Sequence, residues 1–388
     1  MNQPIPKKIN SVSCHKMTFN TLLVDGSNLL ELCVSAYKQV NIDGKEIGGI
    51  VGFFSQLKNL LQKGKFRYCY VFWDGDNGGI QRYSYNVEYK ANRDKNYTDE
   101  NLSDYMKAVN ARIKNMENYI YKNKRSKTES DKENFFWQRS IIIQCLDDLY
   151  IRQCLMDEIE ADDFIAYYVN HKVPEERIVI FSNDRDLTQL IQKSSLDKER
   201  DDVIVCIKPQ KQDYQFINTR NHTQIMGYNY QNVALKKIIC GDTSDNIKGI
   251  KGVGEKTLFT NFPQFKERKV TLDEVIEEAR LINEKRVQNK QKPLQWANNI
   301  VNKVTDGVQG DKIYEINEKI IDLRNPLLSE EAIEMIDSMM YAPLDPEGRS
   351  MNNLYKIFVD NNIDNFINEK HFAGFFVDFK ILAERFVD

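Results

Sequence analysis

The stretch Gly241-Asp242-Thr243-Ser244-Asp245-Asn246-Ile247-Lys248-Gly249-Ile250-Lys251-Gly252-Val253-Gly254-Glu255-Lys256-Thr257 places two carboxylates three residues apart, then a glycine-rich turn, then a lysine-bearing helical pattern. Asp242 and Asp245 can share one cation. Gly249, Gly252 and Gly254 tolerate positive φ and carry no Cβ, so backbone amides there can approach a phosphate closely. Lys248, Lys251 and Lys256 add attraction to a phosphate backbone that is independent of base sequence. Further acidic motifs are Asp25-Gly26-Ser27-Asn28, Asp74-Gly75, Glu158-Ile159-Glu160-Ala161-Asp162-Asp163 and Asp184-Arg185-Asp186. Singly, each aspartate reads as a helix cap or a turn residue. Capping accounts for one acid of the third motif and not for the set. On a helix, Glu160 and Asp163 share a face at i,i+3 while Asp162 points elsewhere. Carboxylates gathered without Lys or Arg partners raise one another's pKa unless divalent cations offset their charge. An all-oxygen set without His or Cys favours Mg2+ or Mn2+ over zinc. The four histidines, His15, His171, His222 and His371, stand apart from one another and read as surface or core residues.

Short apolar runs at 19–24, 68–73 and 178–181 are rich in β-branched or aromatic residues and are separated by longer helical patterns. This reads as an α/β fold with a mostly parallel central sheet flanked by helices. Asp25 and Asp74 follow the first two runs directly and Asp184 and Asp186 follow the third closely, so the acids fall at the carboxyl ends of strands, where open α/β sheets assemble their sites. Residues 94–137 are polar, with Lys107, Arg112, Lys114, Lys122, Lys124, Arg125 and Lys127 among Tyr97, Tyr105, Tyr119 and Tyr121. They read either as a solvated insertion or as a basic, aromatic arch over a single strand. Beyond about 263 the pattern is helical. The expected organisation is an α/β core over 1–232 with the insertion at about 94–137, and a helical region over 233–388 that begins with a helix-hairpin at about 235–263.

At 388 residues and 41% apolar content the chain can bury a sizeable core. Its seven cysteines are scattered and never spaced as Cys-x-x-Cys, against both a disulfide framework and a zinc site. A reducing, cytoplasmic setting fits that usage. Residues 1–19 hold no apolar stretch of signal-peptide length, and no segment is long enough to span a bilayer. A formal charge of −3 does not exclude a nucleic-acid partner, because cations bound by the acids leave the rest of the chain positive.

With these motifs in order, the chain resembles the flap endonuclease and 5′-3′ exonuclease family, in the bacterial and bacteriophage form that includes phage ribonuclease H and the N-terminal nuclease domain of DNA polymerase I. The resemblance covers about 20–263. It implies a PIN-like 5′ nuclease core with an arch and a helix-hairpin. It puts the family's acid positions on Asp25, Asp74, Glu160, Asp162, Asp163, Asp184, Asp186, Asp242 and Asp245. The arch-base motif falls on Arg82 and Tyr89-Lys90-Ala91-Asn92-Arg93, and the hairpin on Gly249 to Thr257. Departures are Leu32 in place of a common arginine, Asn183 in place of a glycine and Lys251 in place of a proline.

The resemblance implies two metal sites, Asp74, Glu160, Asp162 and Asp184 favouring one and Asp186, Asp242 and Asp245 the other, with Asp25 and Asp163 nearby. Two Mg2+ ions, replaceable by Mn2+, would hydrolyse a phosphodiester to a 5′-phosphate and a 3′-hydroxyl. Lys90 and Arg93 would offset charge on the phosphate, sharing a face if that segment is helical, and Tyr89 would stack on a base or simply pack. Arg82, Lys248, Gly249, Lys251, Gly252, Gly254, Lys256 and Thr257 would hold DNA, with a K+ ion at the hairpin turn. Expected substrates are branched or 5′-ended duplex DNA, or an RNA/DNA hybrid, in replication or repair, with the protein acting as a monomer. Two other readings are a PIN-type ribonuclease and a non-catalytic DNA-binding scaffold. Phe372-Ala373-Gly374-Phe375-Phe376 reads as an aromatic core helix or as a dock for a sliding clamp or single-strand-binding protein.

Overall fold

The computed structural model describes residues 19–64, 66–86, 88–90, 129–305, 312–342, 345–363 and 369–383. Strands β1 (Thr21–Asp25), β2 (Tyr68–Trp73), β3 (Arg152–Leu155), β4 (Ile178–Phe181), β5 (Gln192–Lys193), β6 (Asp201–Ile207) and β7 (Gln215–Ile217) form one seven-stranded sheet. Its order is β3-β2-β1-β4-β6-β5, with β7 also on β6. The pairs β1/β2, β1/β4, β2/β3 and β4/β6 are parallel, while β5 and β7 run antiparallel to β6. β1 and β4 are buried along their whole length, as their unbroken apolar runs require when helices cover both faces of a sheet.

Connections from β1 proceed outward through β2 to β3, and the chain then returns to the other side of β1 as β4. This reversal opens a crevice at the carboxyl ends of β1 and β4, the position where ligands bind such sheets. One face is covered by α1 (Gly26–Ala36), α2 (Gly48–Gly64) and α4 (Glu129–Asp148), and the other by α5 (Ala161–His171); between β2 and α4 lies the short α3 (Ile80–Tyr85).

After the short α6 (His222–Met226), a second core is built from α7 (Val233–Cys240), the two-residue strands β8 (Gly241–Asp242) and β9 (Ile247–Lys248), α8 (Glu255–Asn261), α9 (Leu272–Gln288), α10 (Gln295–Val301) and α11 (Lys312–Ile321). It buries Ile239, Leu258, Phe262, Phe265, Val275 and Ile300.

The expected single helical region over 233–388 is divided differently by packing. Helix α12 (Glu330–Tyr341) lays Ala332, Ile336 and Met339 against the sheet face that carries α5. Helices α13 (Met351–Asp360), α14 (Glu369–Phe375) and α15 (Lys380–Ala383) return to the opposite face, where Leu354, Phe358, Phe372, Phe376 and Leu382 join Phe53, Phe54 and Leu57 of α2. Helical periodicity reveals that such segments have an apolar stripe, not which surface it covers.

Of the expected arch, 94–128 lies outside the described residues, and 129–137 begins α4. Among the described residues there is no disulfide, and no helix is long and apolar enough to cross a membrane.

Candidate metal centre

Asp25, Asp74, Asp184 and Asp242 are each set by a hydrogen-bonded device at or just beyond a strand. Asp25 closes β1 and caps α1: its Oδ1 accepts the Asn28 amide at 2.9 Å, and its Oδ2 accepts the Ser182 hydroxyl at 2.9 Å across the crevice. Burial, reinforced by the charges of Asp74 and Asp184, pushes its pKa up to about 8. Asp74 follows β2. Its amide donates to Ser27 Oγ at 2.8 Å, and its Oδ1 accepts the Ala161 amide at 2.9 Å. Asp74 therefore satisfies an amide at the start of α5, leaving Glu160, Asp162 and Asp163 for other partners. Beyond β4, Ser182 Oγ accepts the Asp184 amide at 3.0 Å, and Asp184 accepts the Asp186 amide at 2.8 Å to open the 3-10 turn Arg185–Leu190. Asn183 links the ends of β1, β4 and β6: its amide donates to Asn28 Oδ1 at 2.9 Å, and its Oδ1 accepts the Lys208 amide at 2.6 Å. Asp242 accepts the amide and hydroxyl of Ser244 at 2.8 and 2.6 Å.

Two groups form. Carboxylate oxygens of Glu160, Asp162 and Asp163 lie within 4.8 Å of one another, as do those of Asp186, Asp242 and Asp245. The second group draws acids from two distant motifs together, as the resemblance implies. In the first, Asp163 stands beside Glu160 and Asp162, whereas Asp74 and Asp184 lie outside the 4.8 Å grouping.

The acids are not without basic partners, which corrects the expectation drawn from sequence. Arg82 reaches Glu160 at 2.6 Å, Asp163 at 2.5 and 3.0 Å, and Asp162 at 3.7 Å. Lys90 Nζ donates to Glu160, and Lys237 Nζ contacts both Asp186 and Asp242. Burial opposes ionisation of Glu160, yet Lys90 and Arg82 outweigh it and bring its pKa to about 2. For Asp242, burial is likewise outweighed by Lys237 and Ser244, giving about 2. Lys237 escaped the sequence reading; the one available signal was its place in the last turn of α7, five residues before Asp242.

These internal cations leave charge unmatched. Asp162 Oδ1 is buried without a hydrogen-bond partner, and burial raises Asp162 well above the carboxylate range even with Arg82 beside it. Burial and the neighbouring Asp184 push Asp186 up to about 6. Crowded, all-oxygen donors of this kind fit a hard divalent cation.

Several expected roles change. Arg82 is 3% exposed, with Nε donating to the Ile320 carbonyl at 3.0 Å, so it does not face DNA. Tyr89 is 4% exposed and donates to Glu160 at 3.1 Å; its ring packs against the second core and offers no face to a base. Lys90 sits at φ 57°, in a left-handed turn, so the expected helical face with Arg93 is absent at that residue; Arg93 lies outside the described residues. The Lys90 amide donates to the Asp245 carbonyl at 2.8 Å, joining this turn to the β8–β9 hairpin. Docking by the 372–376 tail is not what the fold provides, since Phe372 and Phe376 are buried in the core.

In the helix-hairpin, Lys251, Gly252, Gly254 and Lys256 are exposed and Gly252 has φ 79°. The Lys251 amide is engaged by the Val304 carbonyl at 2.8 Å. Thr257 is half-buried, and Lys248 is exposed with Glu88 at 3.2 Å. Gly249 serves packing: a Cβ there would meet the Cys240 carbonyl carbon at 2.2 Å.

Residues 110–224 match the family model for the 5′-3′ exonuclease N-terminal resolvase-like domain. The chain is 36% identical over 138 residues to a 5′-3′ exonuclease of Mycoplasma pneumoniae, a match covering 35% of this chain and 44% of that protein. It is 29% identical over 158 residues to DNA polymerase I of Bacillus subtilis, covering 40% of this chain and 17% of the polymerase. The chain thus spans less than half the length of the curated relatives it matches. Its fold is that of the T5 5′-exonuclease solved with zinc bound, at a TM-score of 0.54 and 17% identity over 88% of this chain and 97% of that one. In sequence the chain is thus similar to 5′-3′ exonucleases over part of its length, and in fold it is similar to the T5 5′-exonuclease.

Proposed function

We propose that this protein is a structure-selective 5′ nuclease that hydrolyses phosphodiester bonds near the 5′ end or flap junction of duplex DNA, leaving a 5′-phosphate and a 3′-hydroxyl. The observation that carries this reading is the convergence of two carboxylate groups, from three separate motifs, beside a helix-hairpin with exposed lysines. Glu160 and Asp162, with Asp74 and Asp184 alongside, would hold one Mg2+ or Mn2+ ion, and Asp186, Asp242 and Asp245 a second. Bound there, the ions would supply Lewis-acid stabilisation of the attacking and leaving oxygens.

The chain's own residues do the rest. Lys90 stands on Glu160 and can pass to a phosphate oxygen once Glu160 has another cation, countering charge that acids cannot offset. Asp25, buried and hydrogen-bonded to Ser182, keeps the crevice walls of β1 and β4 together. Lys251 and Lys256 grip the duplex without reading bases, which suits selection by structure. The helix-hairpin supports this reading over a small PIN-type ribonuclease, which has no need of a duplex grip. Roles in replication or repair, action on an RNA strand, and K+ at the turn around Gly252 belong to the same proposal.

Cleavage of a 5′-labelled flap duplex tests it. Cutting is expected with Mg2+, and none with EDTA or in Asp184→Ala/Asp242→Ala. A wild-type protein that binds the duplex but leaves it uncut in Mg2+ and Mn2+ would make the chain a DNA-binding scaffold.

A further inference from the structure

Arg82 is the most deeply placed cation of the site, and its contacts are those of a brace. Its fork spans three carboxylates, donating to Glu160 at 2.6 Å and to both oxygens of Asp163, with Asp162 at 3.7 Å. Its remaining Nε donates to the Ile320 carbonyl at 3.0 Å, at the end of α11. The next residues of the chain continue the support. The Ile321 carbonyl accepts Gln189 Nε2 at 3.1 Å, Gln189 Oε1 accepts the Leu323 amide at 3.3 Å, and the Leu327 amide donates to Asp163 Oδ1 at 3.0 Å. Asp163 is 1% exposed with both oxygens engaged, so it is a poor metal ligand and a good anchor for the guanidinium.

We infer that Arg82 is a positioning residue: held by Asp163 and the 320–327 crossing, it aims Glu160 and Asp162 at the cation they would share and does not contact nucleic acid. This rests on the metal-centre reading above. A planar fork with several fixed donors can orient two carboxylates at once, whereas an ammonium carries the charge without the geometry. Loss of such a supporting partner typically lowers metal affinity about 10- to 100-fold.

The test uses the full chain in an Asp242→Asn background, which weakens the other acid group, and reads free Mn2+ by its EPR signal. Arg82→Lys is expected to bind Mn2+ at least about tenfold more weakly than its parent. Binding of a flap duplex in EDTA, followed by anisotropy across a salt series, should keep its affinity and salt slope. If Arg82 instead contacted a phosphate, removing its charge in Arg82→Gln/Asp163→Asn would lower the slope by about one while Mn2+ affinity stayed unchanged, and the inference would be overturned. Thermal unfolding reports whether the variant folds. Arg82→Gln/Asp163→Asn removes the buried cation and its anchoring anion together and so leaves the net charge of the cluster unchanged. Weakened Mn2+ binding in this pair supports the assignment, and parental affinity in it defeats the assignment. Failure of the unsubstituted protein to take up Mn2+ would instead remove the metal-centre reading, and the inference with it.

Discussion

Asp25 and Asp242 sit in one site and are shifted in opposite directions, because their neighbours differ. Asp25 faces Asp74 and Asp184 across a buried crevice, whereas Asp242 faces Lys237. The consequences for stability have opposite signs. Asp242, lowered from 3.8 to about 2, contributes stability present above its unfolded pKa and lost as pH falls through about 2. Asp25, raised from 3.8 to about 8, keeps in the native state a proton that the unfolded chain has already released. Stability then falls as pH rises from about 4 to about 8, and Asp186, raised to about 6, adds to the lower part of that window. In EDTA the Tm should decline between about pH 5 and pH 8, and Mg2+ should flatten the decline by stabilising the ionised carboxylates. A Tm independent of pH in EDTA would show that these acids are not strained by one another.

At the scale of elements, the hairpin between α7 and α8 depends on backbone contact as much as on charge. Gly249 packs directly on the α7 terminus, and a Cβ would lie 2.3 Å from the Gly241 nitrogen. Both atoms are backbone, so no side chain can swing aside. Gly249→Ala is expected to cost about 1–3 kcal/mol in urea unfolding. Because β8 carries Asp242 and β9 leads into the exposed Lys251 turn, the variant should weaken duplex binding and Mn2+ uptake together. Loss of duplex binding alone would mean that the hairpin and the acids are independent. The strands at 19–24, 68–73 and 178–181 were legible because buried parallel strands must be unbroken apolar runs. Strands β3 and β7 were not, since Arg-Gln-Cys-Leu opens on two polar residues and Gln-Phe-Ile is only three residues long, so neither forms an apolar run that separates from a loop.

Over the whole molecule, the C-terminal helices act as part of the α/β core. Phe376 meets Phe54 at 5.6 Å between ring centroids and Phe358 at 5.9 Å, closing an aromatic cluster between α2 and the last helices. Phe376→Ala is expected to lower stability by about 3–5 kcal/mol and shift urea unfolding as one transition. A small loss, or a separate early transition, would mark the C-terminal helices as an appendage. The chain also runs past the first acid group at 320–327, so stability of that region and geometry of the site should be linked.

Local chemistry along the chain sufficed to identify the acids, the parallel sheet that carries them and the glycine-lysine turn. Those features depend on residue type and on spacings of two to four residues, which strand and helix geometry convert directly into position. The tertiary structure alone decided that Arg82 turns inward, that Lys237 lies between Asp186 and Asp242, and that the last helices cover the sheet. Arg82 and Glu160 are 78 residues apart, and Arg82 and Ile320 are 238 apart. A basic residue offers the same charge to solvent, to DNA or to a buried carboxylate. Which partner it takes depends on where chain closure puts the nearest anion and whether water is excluded there, and neither quantity is written in local sequence.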